Sequence, residues 1–171
     1  MRHLIYLLRH AKSSWDEPEL LDRERPLAKR GRKAVALLRE HFHEAGVAPD
    51  LVLCSSAVRA IQTLEGVREG LPAGARVEIE SDLYAAGAAS LLGRLGRLPE
   101  EVGSVMLVGH NPGIEDLAAA LSGGGDPDAR AALQAKYPTG GVATLAFEGA
   151  WRELDWKGAT LEAFAVPRRL G

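Results

Sequence analysis

Leu4-Ile5-Tyr6-Leu7-Leu8 is a continuous apolar run that ends abruptly in Arg9-His10. An extended segment with apolar side chains on both faces marks a strand buried from both sides, the kind found in parallel sheets covered by helices. The pattern recurs twice. Leu51-Val52-Leu53-Cys54 ends in Ser55-Ser56, hydroxyls suited to capping a helix that begins at Ala57 and reaches Leu64. Val105-Met106-Leu107-Val108 ends in Gly109-His110-Asn111-Pro112-Gly113, ahead of a helical stretch from Ile114 to Leu121. Three strand–loop–helix units of one pattern predict an α/β fold, a three-layer sandwich with a mostly parallel sheet flanked by helices.

The segments between these units fit the same plan. Gly31 to Ala45 has helical spacing at Val35, Leu38 and Phe42, and Ser90 to Leu98 is a shorter leucine-rich helix candidate. Arg76 to Glu80 alternates like an exposed edge strand. Val142 to Phe147 and Ala163 to Val166 read as two further strands around a turn region from Trp151 to Gly158, and Ser122 to Pro127 as a flexible break. The tail after that break is short and is expected to add edge strands and a covering helix. Residues 1–171 are therefore expected to form a single domain, and 46% hydrophobic against 26% charged residues suffices for one core.

Composition narrows the function. Twenty-one Lys and Arg against 23 Asp and Glu leave a net charge of -2, so no global positive field holds nucleic acid, and any anion site must be local. One cysteine, Cys54, allows neither an internal disulfide nor a cysteine-based zinc knuckle, which suits a reducing compartment. The apolar run at the N-terminus is too short for a signal peptide and no longer run follows, so the expectation is a cytoplasmic protein with no membrane partner.

In an open parallel sheet, ligands bind beyond the carboxyl ends of the strands. Here those ends carry Arg9, His10 and Lys12 after the first strand, Arg59 in the helix after the second, and His110 after the third. The helix N-termini at Ser56 and Pro112 add backbone N–H groups and positive dipole ends. Together they describe a pocket for a phosphate or similar anion.

The order Arg9-His10, then Ser55 through Thr63, then Gly109-His110-Asn111 resembles the histidine phosphatase superfamily, which includes the phosphoglycerate mutases. The family's Arg-His-Gly stands here as Arg9-His10-Ala11. The short chain, with Arg25-Pro26-Leu27 and Lys29-Arg30-Gly31, looks like the SixA-type phosphohistidine phosphatases. The resemblance implies a phosphoglycerate mutase-like fold, His10 as nucleophile, Arg9 and Arg59 as phosphate clamps and His110 as a further phosphate ligand. It makes Arg25 an extra contact, and Ser56 and Asn111 join Arg25 as substrate-binding candidates.

Physical chemistry supports those roles. A neutral imidazole is a competent nucleophile toward phosphorus, and passage through a phosphorylated histidine splits one hard displacement into two easier ones. Arg9 and Arg59 disfavour a third positive charge, so they lower the pKa of His10, and their planar forks match the equatorial phosphoryl oxygens. The scheme calls for no metal and no cofactor.

Mutase-like relatives carry a proton-donating glutamate in a Leu-x-Glu context, whereas here Leu83 is followed by Tyr84 and Ala85. Alkoxide leaving groups need a positioned donor; a phosphorylated imidazole can be protonated on its distal ring nitrogen and leave neutral. That favours a phosphohistidine in a partner protein, or a small phosphorylated molecule, with Asp82, Glu80 or water as other proton sources. The alternatives are a small-molecule phosphomonoesterase, a mutase-like enzyme, and a phosphate-binding module without catalysis. Cys54 to Arg59 falls one residue short of the Cys-x5-Arg loop of thiol phosphatases, so Cys54 reads as a buried structural thiol. His41 and His43, two apart on a helix, face different ways and read as surface residues.

Overall fold

In the computed structural model, which describes residues 1–170, β1 (Arg2–Arg9) buries Ile5 and Leu7 in one hydrophobic layer and Tyr6 and Leu8 in the other. The period-two alternation of a strand explains this, and double-sided burial explains why all four residues had to be apolar. The chain continues through α1 (Lys29–Ala45), β2 (Leu51–Ser55), α2 (Val58–Val67), β3 (Arg76–Glu80), α3 (Ala88–Gly96) and β4 (Ser104–Gly109). It ends with α4 (Gly113–Leu121), β5 (Ser122–Gly125), α5 (Pro127–Ala135), β6 (Val142–Glu148) and β7 (Ala159–Ala165).

All seven strands join one sheet in the order β3-β2-β4-β1-β6-β7-β5. Every strand runs parallel to β1 except β6, which pairs antiparallel with both β1 and β7. Val35, Leu38 and Phe42 of α1 and Ala60, Leu64 and Val67 of α2 pack on one face. Leu91 and Leu95 of α3, Ile114, Leu117 and Leu121 of α4, and Leu133 of α5 pack on the other. The three-layer α/β sandwich expected from the three repeated units is the observed architecture.

Two segments differ from expectation. Ser122–Gly125 is an edge strand rather than a flexible break, parallel to β7. Its glycines permit close approach: a Cβ on Gly123 would stand 2.1 Å from the Lys157 carbonyl oxygen, and Gly125 sits at φ +135° against Leu161. The last strand begins at Ala159 rather than Ala163, because buried Ala159 and Leu161 alternate with exposed Thr160 and Glu162. β3 is the edge strand its alternation predicted.

Candidate active site

Register brings the loops together. Arg9 pairs with Gly109 across β1 and β4, and Cys54 pairs with Val108 across β2 and β4. His10, Ser55 and His110 therefore leave the sheet at one level of its carboxyl edge. The His10 backbone N–H donates to the Gly109 carbonyl at 3.0 Å, which fixes where its side chain starts.

His10 is buried, with Nδ1 2.7 Å from the Ala11 carbonyl oxygen. A carbonyl can only accept, so the proton of the neutral ring sits on Nδ1 and the lone pair on Nε2. Arg59 Nε lies 3.4 Å from that Nε2. Burial, followed by the nearby His110, Arg59 and Arg9, lowers the His10 pKa from its ordinary 6.5 to about 3, against the opposing pull of the Ala11 carbonyl. The arginines work in the expected direction, but desolvation is the larger cause.

His110 lies beside His10, with ring centroids 5.1 Å apart, and its Nε2 is 2.7 Å from the Ser55 hydroxyl. Burial first, then Arg59 and Arg9, lower its pKa to about 4. Ser55 Oγ also accepts the Ala57 N–H at 3.2 Å, so its own proton is free to go to His110 Nε2. In the tautomer in which Ser55 donates, the imidazole proton sits on Nδ1, a buried atom without a hydrogen-bond partner among the described residues.

Arg59 is the second residue of α2 and buried. Its Nη1 donates to the Asp22 carbonyl at 2.7 Å and its Nη2 to Asp22 Oδ2 at 3.0 Å. Thr63, one turn on, accepts the Ala11 N–H at 3.0 Å and donates to the Arg59 carbonyl at 2.7 Å, tying α2 to the residue that follows His10. The Arg9 guanidinium donates to the Tyr137 carbonyl at 2.8 Å, while its buried Nε has no partner among the described residues. Unpaired buried donors are costly and collect at functional sites.

Asp22 begins a short 3-10 turn, Asp22–Glu24. Besides Arg59, it accepts the Tyr84 hydroxyl on Oδ2 and Arg25 Nε on Oδ1 at 3.1 Å. The Tyr84 hydrogen bond, then Arg59 and Arg25, hold its carboxyl well below the usual carboxylate range. Arg25 is buried by these contacts: it donates to Ser13 Oγ at 2.8 Å and the Ser14 carbonyl at 3.1 Å, and stacks 3.5 Å over the Trp15 ring. It reaches the site through Asp22.

The other candidates are placed differently. Asn111 Oδ1 accepts the Glu115 N–H at 3.2 Å and its amide donates to Glu115 and to the Tyr137 carbonyl, so the side chain ties down the start of α4. Ser56 is half-buried without a side-chain hydrogen bond among the described residues; Ser55 makes the contact with His110. Neither serine is the helix-capping residue: that position falls on Ala57, and Ser55 belongs to β2. Glu80 is held by Arg94 at 2.9 and 2.7 Å, and Asp82 is exposed with no such partner among the described residues. Burial pushes the Cys54 thiol up to about 12, and its side chain lies in the core layer under α1 and α2.

A family model of the histidine phosphatase superfamily (branch 1) matches residues 5–101. The chain belongs to this superfamily. An uncharacterised protein of Mycobacterium leprae is 35% identical over 165 residues, spanning 94% of this chain and 100% of the relative. The structure of a proposed phosphohistidine phosphatase SixA from Agrobacterium tumefaciens superimposes with a TM-score of 0.82 at 31% identity, covering 96% of this chain and 98% of that one. A second proposed SixA, from Nakamurella multipartitia, gives 0.84 at 27% identity over 98% and 97%.

In this member of the superfamily, Ala11 stands where the family motif Arg-His-Gly has glycine. The residue is fully buried among the side chains under α1 and α2, so its methyl group fills core space while its carbonyl orients His10. Asp22, Tyr84 and Thr63 entered the site without having been singled out for it. The spacing of Asp22 three residues before Arg25 was the available signal, since a charged pair at i, i+3 can close within one turn.

Proposed function

We propose that the protein is a phosphatase that transfers the phosphoryl group of phosphohistidine to water through a covalent intermediate on His10. The observation that carries this reading is the state of His10: an imidazole with its proton held on Nδ1 by Ala11 and its Nε2 lone pair beside Arg59. Such a ring remains neutral and nucleophilic at pH 7, which an ordinary surface histidine does only in part.

In the first step His10 Nε2 attacks phosphorus and the P–N bond of the substrate breaks. Its electron pair returns to the substrate ring, which departs as neutral imidazole carrying its proton on the distal nitrogen. Arg59 and Arg9 bind the equatorial oxygens, where charge accumulates in the transition state, and His110 Nδ1–H supplies a further donor. In the second step water attacks the phosphorylated His10, the P–Nε2 bond breaks, and inorganic phosphate leaves.

Arg25 is a positioning residue in this scheme, holding Asp22 against Arg59, and Asn111 positions α4 behind Arg9. The SixA relatives support phosphohistidine as the substrate class, as does the absence of a glutamate after Leu83. Rapid quench with a phosphohistidine peptide should trap an acid-labile phosphoenzyme in the wild type and none in His10→Ala. Turnover persisting in His10→Ala would overturn the nucleophile, and faster turnover of phosphomonoesters than of the peptide would overturn the substrate class.

A further inference from the structure

We propose that Asp22 selects phosphohistidine over phosphate esters by accepting a hydrogen bond from the distal ring N–H of the departing imidazole. The inference rests on the phosphatase reading above and concerns the leaving-group side of the same site.

Asp22 lies at the mouth, its side chain 48% exposed, on the guanidinium whose Nε faces the attacking nitrogen. Three donors converge on its carboxylate: Arg59 Nη2 and the Tyr84 hydroxyl on Oδ2, and Arg25 Nε on Oδ1. A carboxylate offers about four lone-pair positions, so three donors leave room for one more. They also fix it as an anion, which has no proton to give to an alkoxide. Tyr84 cannot replace it as donor while its hydroxyl proton points at Asp22.

The geometry suits a leaving group that brings its own proton. A phosphorylated imidazole protonated on its distal nitrogen is expelled as a neutral ring when the P–N electron pair returns to the proximal nitrogen, and the distal proton stays in place. A carboxylate accepting that N–H stabilises the protonated ring before the bond breaks. Two other acidic groups are engaged elsewhere, Glu80 with Arg94 and Glu115 with Asn111, and Asp82 is exposed, without a hydrogen bond to Arg59, Arg25 or Tyr84. The groups facing Asp22 are Arg59 from α2, Arg25 from its own turn, and Tyr84, whose ring is flanked by Arg23 at 5.0 Å and His110 at 5.4 Å. His110 is neutral above about pH 4, so the substrate ring is the group left to titrate between pH 5 and 8.

The test compares kcat and kcat/KM for N-phosphoimidazole and for p-nitrophenyl phosphate, from pH 5 to 9, in wild type, Asp22→Asn and Asp22→Glu. Both rates should fall in Asp22→Asn, since Arg59 loses a partner. The phosphoimidazole-to-ester ratio should drop at least about tenfold, the worth of one charge-assisted hydrogen bond. The alkaline limb of the kcat profile for phosphoimidazole, which follows the ring titrating in the enzyme–substrate complex, should move down by about one pH unit, and Asp22→Glu should recover part of the ratio. Equal losses on both substrates with an unmoved pH profile would overturn the proposal alone, reducing Asp22 to a support for Arg59. Wild-type protein that turns over neither substrate, or turnover indifferent to His10→Ala, would overturn the phosphatase reading together with the proposal.

Discussion

Arg59 Nε stands 3.4 Å from His10 Nε2, on the same guanidinium whose η nitrogens hold the carbonyl and carboxylate of Asp22 at 2.7 and 3.0 Å. One buried side chain thus touches both the nitrogen proposed as nucleophile and the acidic turn at the mouth. An arriving phosphoryl oxygen would take over the Nε–H and release the lone pair of His10, coupling binding to activation. Lysine keeps the charge but cannot make the fork. Arg59→Lys should therefore lose on the order of 10²-fold in kcat/KM, as removal of an oxyanion donor does, with Arg59→Ala at least as impaired. Steady-state kinetics on an aryl phosphate measure this directly.

Stability should depend on pH through the two imidazoles. The folded pKa of His10 is about 3 and that of His110 about 4, against an ordinary 6.5. Between those limits the unfolded chain binds more protons than the folded one, so stability rises with pH through that window. The contribution of their neutral burial is full above about pH 6.5 and is lost as the pH falls toward 4 and then 3. Each group adds at most about 1.4 kcal/mol per pH unit to the slope. Denaturant unfolding of wild type and His10→Ala at pH 7, 6, 5 and 4 should give a shallower slope for the variant; identical slopes would show that His10 is not buried neutral.

The Ser55 contact shows where the sequence could be read and where it could not. Apolar runs identify strands because burial on both faces demands them, and the residue after each strand is then a site candidate by topology alone. That is how His10 and His110 are legible. The hydroxyl that holds His110 is a matter of which of two adjacent serines still belongs to the strand, and helix-start preferences favour either one equally. Asp22 was legible only as the i, i+3 partner of Arg25; its place against Arg59 comes from a loop whose path is set by Arg25 stacking on Trp15 and by Gly31 packing on Lys12, contacts without a periodic signature. Ser55→Ala should leave His110 Nε2 without its 2.7 Å partner and lower kcat/KM about tenfold, the worth of one hydrogen bond at a positioned ring. Ser56→Ala, whose hydroxyl holds nothing among the described residues, serves as the comparison.

Cys54 supplies a clean discrimination between nucleophiles. Its thiol is fully buried and pushed up to about 12, so thiolate is scarce at neutral pH. Cys54→Ala should keep wild-type turnover within about twofold while costing on the order of 1 kcal/mol of stability for the lost packing. Alkylating reagents should label the native protein only as it unfolds. Inactivation by Cys54→Ala without a loss of stability would move the chemistry to the thiol.

Gly31 tests whether the loop path matters to the site. A Cβ there would stand 2.1 Å from the Lys12 carbonyl oxygen, the same oxygen that accepts the Ala28 N–H at 2.9 Å. Backbone on both sides leaves no flexible side chain to yield, so Gly31→Ala should cost about 1–3 kcal/mol as overpacking does. The displaced segment leads directly into Ser13, which holds Arg25, which holds Asp22 on Arg59. Activity should therefore fall in folded Gly31→Ala protein as well. Gly74→Ala, where a Cβ meets nothing within 4 Å, should change neither the denaturant midpoint nor the rate. Full activity in Gly31→Ala despite a lowered midpoint would separate the loop from the catalytic geometry and limit its role to stability.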